Sequence, residues 1–239
     1  MPFRTLTLPQ AAQRLHLDVP VVAQLVKRGE VPCTFRGEEP VFSRRELDAW
    51  ASQRLLGMTS RNVDIHHRAS SRSQTRLSPD EPLVPRLFCT DWIAPRLLSK
   101  TKPSVLRDMV ALAATTNLLY DDAALLHGLE ERELLCSTAI GDGVAFLHMR
   151  YHDANLCGGS FVVLGRTARP IFASAVDGQA TDIFFLLCCQ DDALHLHVLA
   201  RLCAMAHGTP LLTELRQAET RAEMLAAVER SEKALLQAV

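Results

Sequence analysis

The segment Gly141-Asp142-Gly143-Val144-Ala145-Phe146-Leu147-His148 ends in a histidine placed where it could do chemistry. Two glycines around an acidic residue let the backbone turn tightly without a side-chain penalty. Four apolar residues then run into His148, the pattern of a short buried strand that delivers an imidazole to its end. Such an imidazole is fixed by its strand and open at its tip, and near pH 7 it is neutral with one nitrogen lone pair available. A nucleophile toward a phosphoryl group needs those properties. The same residues also fit a strand-end histidine that only satisfies a backbone carbonyl, and these residues alone leave both readings standing.

The wider order of residues adds to this. Arg132-Glu133, a short apolar step, Ser137-Thr138, Gly141-Asp142-Gly143, four apolar residues and His148 follow one another. Leu164-Gly165-Arg166, Pro170-Ile171, Asp177-Gly178, Asp182 to Leu187 and His195 to Ala200 continue the series. In this order the chain resembles the phosphotransferase-system IIA domains of the mannitol/fructose type, which include the nitrogen-regulatory IIA proteins. The resemblance spans roughly residues 84–239. It implies an α/β fold with a mixed β-sheet sandwiched by helices and His148 as phosphoryl acceptor, with an HPr-like phosphocarrier protein as donor. It also places His195 beside His148, where it can donate to a phosphate oxygen, and gives Arg132 the role of pairing with the phosphate. Without the resemblance, His195 is a lone helix histidine of core or surface, and Arg132 a helix-terminal arginine near exposed carbonyls. His197 lies two positions on and points to another face, so it stays outside the site. Transfer of this kind is positioning plus charge stabilisation, and it calls for no metal and no cofactor on the protein. Two residues depart from the family pattern. Leu147 stands where the family has proline, which removes a rigid extended-backbone constraint. Asp142 stands for the usual asparagine, a carboxylate expected close to where the phosphoryl dianion must sit.

The elements that must position these residues are legible in outline. The spacing predicts a helix from about Lys102-Pro103-Ser104 to Asn117, with Val105, Met109 and Leu112 as its apolar stripe. A second helix runs from Tyr120-Asp121-Asp122 to about Arg132. The strand at 144–148 follows, then a turn at Gly158-Gly159 and a strand over 161–164. The unbroken apolar run from Ile183 to Cys188 suits a strand covered on both faces. Asp191-Asp192 opens a long helix to about Ala206, and two helices over 210–217 and 220–237 close the chain. Strands alternating with helices give an α/β sandwich.

The first 57 residues read as a separate unit. Thr7-Leu8-Pro9 opens a helix carrying Ala11, Ala12 and Leu15. Asp18 is a good N-cap for a second helix with Pro20 in its first turn, Val22, Leu25 and Val26 on one face, and Gly29 at its end. Val31 to Phe35 and Val41-Phe42 suggest a hairpin or wing. Ser43 with Glu46 forms a capping box that starts a third helix to about Leu55. This winged helix-turn-helix plan, over about residues 4–55, resembles the excisionase/MerR-type DNA-binding domain. The resemblance makes the helix from Val19 to Arg28 the recognition helix, with Gln24, Lys27 and Arg28 toward bases or phosphates of duplex DNA and Arg36 in the wing reaching the backbone. The start of that helix, Val19-Pro20-Val21-Val22, and the acidic Glu38 and Glu39 depart from the pattern. So few basic residues imply weak binding by a monomer and useful affinity only as a homodimer on two half-sites. A protein-interaction role for this unit is the alternative.

Between the units, residues 58–82 lose periodicity and are rich in polar residues, as expected of a flexible tether. His66-His67 lacks further ligands for a metal, and Arg61, Arg68, Arg72 and Arg76 would add nonspecific affinity for DNA. Residues 1–82 hold 12 Lys/Arg against 9 Asp/Glu, and the remainder 14 against 18, a sign asymmetry that suits a nucleic-acid module joined to an acidic partner domain. The seven cysteines form no C-x-x-C pair and read as buried apolar groups in a reducing cytosol. No apolar run is long enough for a membrane span and no signal pattern opens the chain, so a cytoplasmic protein is expected. Three domain boundaries follow, 1–57, 58–82 and 83–239. The expected function is regulatory, with a sugar-transport IIA component and an unphosphorylated interaction module as the alternatives.

Overall fold

The computed structural model describes residues 5–15, 17–57, 82–151, 153, 155–175 and 177–237. The stretch read as a tether, with its histidine pair and four arginines, lies almost wholly outside the described residues.

The N-terminal unit runs β1 (Thr5–Leu6), α1 (Leu8–Leu15), α2 (Val19–Lys27), β2 (Thr34–Arg36), β3 (Glu39–Ser43) and α3 (Arg44–Leu56). Its strands form a small sheet in the order β1-β3-β2, antiparallel throughout. Ala11, Ala12 and Leu15 from α1, Val22 and Leu25 from α2, Phe42, and Leu47, Ala51 and Leu55 from α3 make its core. Pro9 and Pro20 sit in first turns, where a missing N–H costs nothing. The two side-chain caps expected here are not made. Asp18 and Ser43 occupy N-cap positions, yet neither side chain accepts a cap bond, so the Ser43–Glu46 box is absent. Ser43 also ends β3 opposite Thr5, and the ladder sets its backbone before the helix begins.

In the C-terminal unit the first elements are two single 3₁₀ turns, Val84–Leu87 and Thr90–Trp92. Then come β4 (Ile93–Leu97), α4 (Lys102–Ala114), α5 (Asp122–Leu135), β5 (Ala139–Gly141), β6 (Val144–Leu147), β7 (Phe161–Ile171), β8 (Thr181–Cys188), α6 (Asp192–Gly208), α7 (Leu211–Gln217) and α8 (Arg221–Gln237). A capping box at Thr101 and Ser104 opens α4, and the carboxylates of Asp121 and Asp191 accept from Ala124 and Leu194 N–H at 2.8 Å to open α5 and α6. The five-stranded mixed sheet has the order β4-β7-β8-β6-β5, with β4 parallel to β7 and β6 parallel to β8.

Alternation along the strands splits the core in two. Ala145, Leu147, Phe161, Val163, Phe184 and Leu186 face α4 and α5. Val144, Phe146, Val162, Leu164, Ile183 and Phe185 face α6, α7 and α8. The expected α/β sandwich is therefore present. Its strand over 161–164 is longer than expected, reaching Ile171 through Pro170, because the pairing with β8 shifts register between Arg166 and Ile171 and asks no ladder bond of the proline. The edge strands β4 and β5 carry too few residues, and in β4 a proline, to show a period in sequence.

Arg201 and Glu232 form a fully buried ion pair at 2.8 Å, and Glu232 also accepts from the N–H groups of Leu83 and Val84 at 3.0 and 3.1 Å. This ties the entry of the C-terminal unit to α8. The N-terminal unit does not stand apart. α3 packs on α6, and one continuous apolar cluster runs from Ala11 and Leu55 to Leu199 and Val228. All seven cysteines are free, and burial pushes the thiols of Cys188, Cys189 and Cys203 up. Among the described residues no helix is long and apolar enough to cross a membrane.

Candidate functional site

Three consecutive left-handed residues, Gly141 at φ 122°, Asp142 at 51° and Gly143 at 79°, make the turn from β5 into β6. Asp142 tolerates this region better than most side chains do. Its N–H donates to the Asp177 carboxylate at 3.0 Å, and its carbonyl accepts from Arg216, which also pairs with Asp182. β6 then runs beside β8, with Leu147 opposite Leu186. Leu147 is buried on the side of α4 and α5, and the ladder supplies the extended backbone that a proline would otherwise impose. By the two-residue period, His148 turns to the opposite side, toward α6.

There it meets His195 at the start of α6, with ring centroids 5.0 Å apart. His148 Nδ1 donates to the Phe146 carbonyl at 2.8 Å. A carbonyl can only accept, so Nδ1 carries the proton and Nε2 is the nitrogen with nucleophilic character. The open tip expected from the sequence is not found: His148 and His195 are each 1% exposed. His197 is buried as well, about 200° around the helix from His195 by the geometry of an α-helix.

The carboxylate expected near the dianion is elsewhere. Asp142 and His148 flank opposite ends of β6, whose four residues alone span roughly 10 Å at the rise of an extended chain. Asp142 faces His207, with the ring nitrogen 3.9 Å from its carboxylate.

Arg132 is buried near the end of α5, where Nη1 donates to the Cys136 carbonyl at 2.9 Å and also meets its Sγ. Its Nη2 has no hydrogen-bond partner among the described residues. Arg132 lines a cavity of about 420 Å³ shared with Leu135 and Arg150 and, from the N-terminal unit, Glu46, Trp50 and Gln53. Described contacts thus join His148 to His195, while those of Arg132 serve the helix end. The rest of its motif braces the loop into β5. Glu133 accepts from Thr138 and pairs with Lys102, and Ser137 donates to the Ala173 carbonyl at 2.6 Å.

Residues that sequence reasoning missed contact the chain segments adjoining His148 and His195. Gly128 on α5 lies so close to Met149 that an added Cβ would come within 2.5 Å of its sulfur. Arg45 on α3 stacks its guanidinium 4.7 Å from the centre of the Tyr151 ring. Arg14 on α1 pairs with Asp48 on α3 at 2.7 Å and reaches Asp192 on α6 at 3.2 Å, with Arg44 3.7 Å from the same carboxylate. Burial pushes the Asp48 carboxyl up to about 6, with Asp192 acting in the same sense, against the lowering effect of Arg14. These contacts join segments distant in sequence, and no local motif marks them. Gln24, Lys27, Arg28 and Arg36 all lie exposed on α2 and β2, beside the exposed apolar Val19, Val21 and Phe35. Among the described residues no group of three or more His, Cys, Asp or Glu side chains could hold a metal ion.

Residues 86–231 match the family described as phosphoenolpyruvate-dependent sugar phosphotransferase system, EIIA 2. Residues 5–55 match a helix-turn-helix domain. The chain is 32% identical over 132 residues to a nitrogen regulatory protein of Bradyrhizobium diazoefficiens, a match covering 54% of this chain and 84% of that protein. The crystal structure of the nitrogen regulatory protein IIA-Ntr from Neisseria meningitidis has the same fold, with a TM-score of 0.56 at 22% identity over 62% of this chain and 99% of that one. So has mannitol IIA of Escherichia coli in its complex with phosphorylated mannitol IIB, with a TM-score of 0.51 at 12% identity over 60% of this chain and 97% of that one.

Proposed function

The chain belongs to the EIIA type-2 family of the phosphoenolpyruvate-dependent sugar phosphotransferase system and carries an N-terminal helix-turn-helix domain, and we propose that it is a cytoplasmic regulatory protein whose IIA domain accepts a phosphoryl group on His148. The domains of this reading are 1–57 for the helix-turn-helix unit, 58–82 for the linker and 83–239 for the IIA domain. One observation carries the proposal. His148 is held at the end of β6 by its Nδ1 bond to the Phe146 carbonyl, with His195 across from it at 5.0 Å between ring centres.

The chemistry follows from that arrangement. An HPr-like phosphocarrier presents a phosphohistidine. Its phosphorus–nitrogen bond breaks as a bond forms between phosphorus and Nε2 of His148, using the lone pair on that nitrogen. The imidazole gains positive charge as it attacks, and the Phe146 carbonyl on Nδ1–H stabilises that charge. His195 donates to a phosphoryl oxygen, and Arg132, whose Nη2 lacks a hydrogen-bond partner among the described residues, takes the role of pairing with the phosphate that the family resemblance implies. In the N-terminal domain, Gln24, Lys27, Arg28 and Arg36 contact duplex DNA, with the protein acting as a homodimer on two half-sites. The exposure of all four side chains supports this reading.

Burial of the acceptor favours a second reading, in which the IIA domain binds partners without being phosphorylated. Incubating the purified chain with a phosphorylated HPr-like donor and mapping the modified residue separates the two. An acid-labile phosphoryl group on His148, absent from His148→Ala, is the expected result. A chain that stays unmodified under conditions that charge a nitrogen-regulatory IIA protein would favour the interaction module.

A further inference from the structure

We infer that the N-terminal unit is a cover over the acceptor histidine: α3, docked as it is, closes the face through which a phosphocarrier would reach His148 and must lift for transfer to occur. This rests on the reading of His148 as the acceptor and adds what controls access to it.

The first ground is burial. Transfer requires phosphorus to come within about 3–3.5 Å of the attacking nitrogen in line with the bond that breaks. A donor carried on another protein cannot reach a ring that is 1% exposed and whose partner ring is equally buried. The second ground is where the N-terminal unit holds on. Arg45 stacks on Tyr151, three residues after His148. Arg14 and Arg44 grip Asp192, three residues before His195. Trp50 and Glu46 share a cavity with Arg132 and Arg150. The grips therefore lie on both chain segments that carry the histidine pair.

The contact is also of a kind that can part. Beside the apolar seam of α3 on α6 it carries three arginines, one of them shared between two carboxylates, and it borders an open cavity of about 420 Å³. Interfaces between domains of one chain commonly permit such motion. A phosphoryl group on Nε2 needs room and brings up to about two negative charges to the side of α6, whose first turn carries Asp192. Docked and phosphorylated states are then mutually exclusive, and phosphorylation holds the cover open. Because Gln24, Lys27, Arg28 and Arg36 remain exposed in the docked arrangement, the cover masks the histidine and leaves the recognition helix uncovered. Linkage makes the effect reciprocal, so a ligand that prefers the lifted N-terminal unit promotes phosphorylation.

The test uses the full chain and two small probes, phosphoramidate and diethylpyrocarbonate. With phosphoramidate, the phosphorus–nitrogen bond breaks as the bond to Nε2 forms, and ammonia leaves. The variant R44E/R45E repels Asp192 and loses the stack on Tyr151, while Asp192→Lys breaks the grip from the other side. Hydrogen exchange over residues 192–197 reports whether α3 has left. The expected result is that, in both variants, modification of His148 by both probes accelerates at least tenfold over the unaltered chain. Faster carbethoxylation without phosphoryl uptake would uphold the cover and overturn the acceptor reading. Rates equal to those of the unaltered chain with both probes, in both variants, would overturn the cover.

Discussion

His148 combines two constraints that pull in different directions. Its main chain continues a strand buried on both sides, and under the proposed function its ring must still receive a phosphoryl group. His148→Ala is expected to abolish acceptance, measured as loss of the acid-labile label. It should also lower stability by about 1–3 kcal/mol, as loss of a buried hydrogen-bonded side chain does, which thermal unfolding would show. The cost follows from the enclosure of the ring. His195→Ala should leave acceptance measurable. Losing a charge-assisted hydrogen bond costs about 1.5–3 kcal/mol, or roughly 10- to 150-fold in rate at about 1.4 kcal/mol per tenfold. A single-turnover rate equal to that of the unaltered chain would reduce His195 to a packing role.

At the scale of elements, α2 and the α1–α3–α6 junction make separate predictions. Lys27 and Arg28 occupy the exposed end of α2. Replacing both with alanine should weaken DNA binding evenly across sequences and reduce the slope of log affinity against log salt by about two. A mobility-shift titration at several salt concentrations reads both quantities. At the junction, burial lifts the Asp48 carboxyl from 3.8 to about 6. A group whose folded-state pKa is raised binds its proton more tightly in the folded state. Its contribution is complete below the unfolded value, near 4, and is lost as pH rises through about 6. Stability relative to Asp48→Asn, which carries no charge there, should therefore improve as pH falls from 7 toward 5. Thermal unfolding of the pair across that range checks the sign.

For the whole molecule, the coupling between its halves comes down to whether they are together or apart. Residues 83–239 carry four more acidic than basic side chains, and docking through α3 holds that charge close to the N-terminal unit while α2 stays exposed. Phosphorylation of His148 should lift the N-terminal unit away and so raise the affinity of the full chain for duplex DNA, most clearly at low salt. The difference should vanish once the chain is cut between the units. Equal affinities for the two forms across a salt titration would leave two independent modules.

Periodicity and residue order were enough to determine the layers of this protein. The two-residue alternation from Val144 to Leu147 assigns each side chain to one sheet face, and it carries His148 to the side of α6, where the family motif put His195. The paired prolines and apolar stripes likewise announced α1 and α2, because their signals are local. Only the tertiary structure decided what lies over the histidine. The Arg14–Asp48–Asp192 cluster joins residues 178 positions apart at its widest. The stack of Arg45 on Tyr151 spans more than a hundred positions of the chain. Such contacts depend on docking of a preformed surface, to which no helical or strand period corresponds. Asp142 shows the same division. Its place shortly before His148 in the motif suggested closeness, but the strand between them carries the two to opposite ends of β6. Burial of His148 was illegible for the same reason, since exposure belongs to the assembled surface and not to the segment that carries the residue.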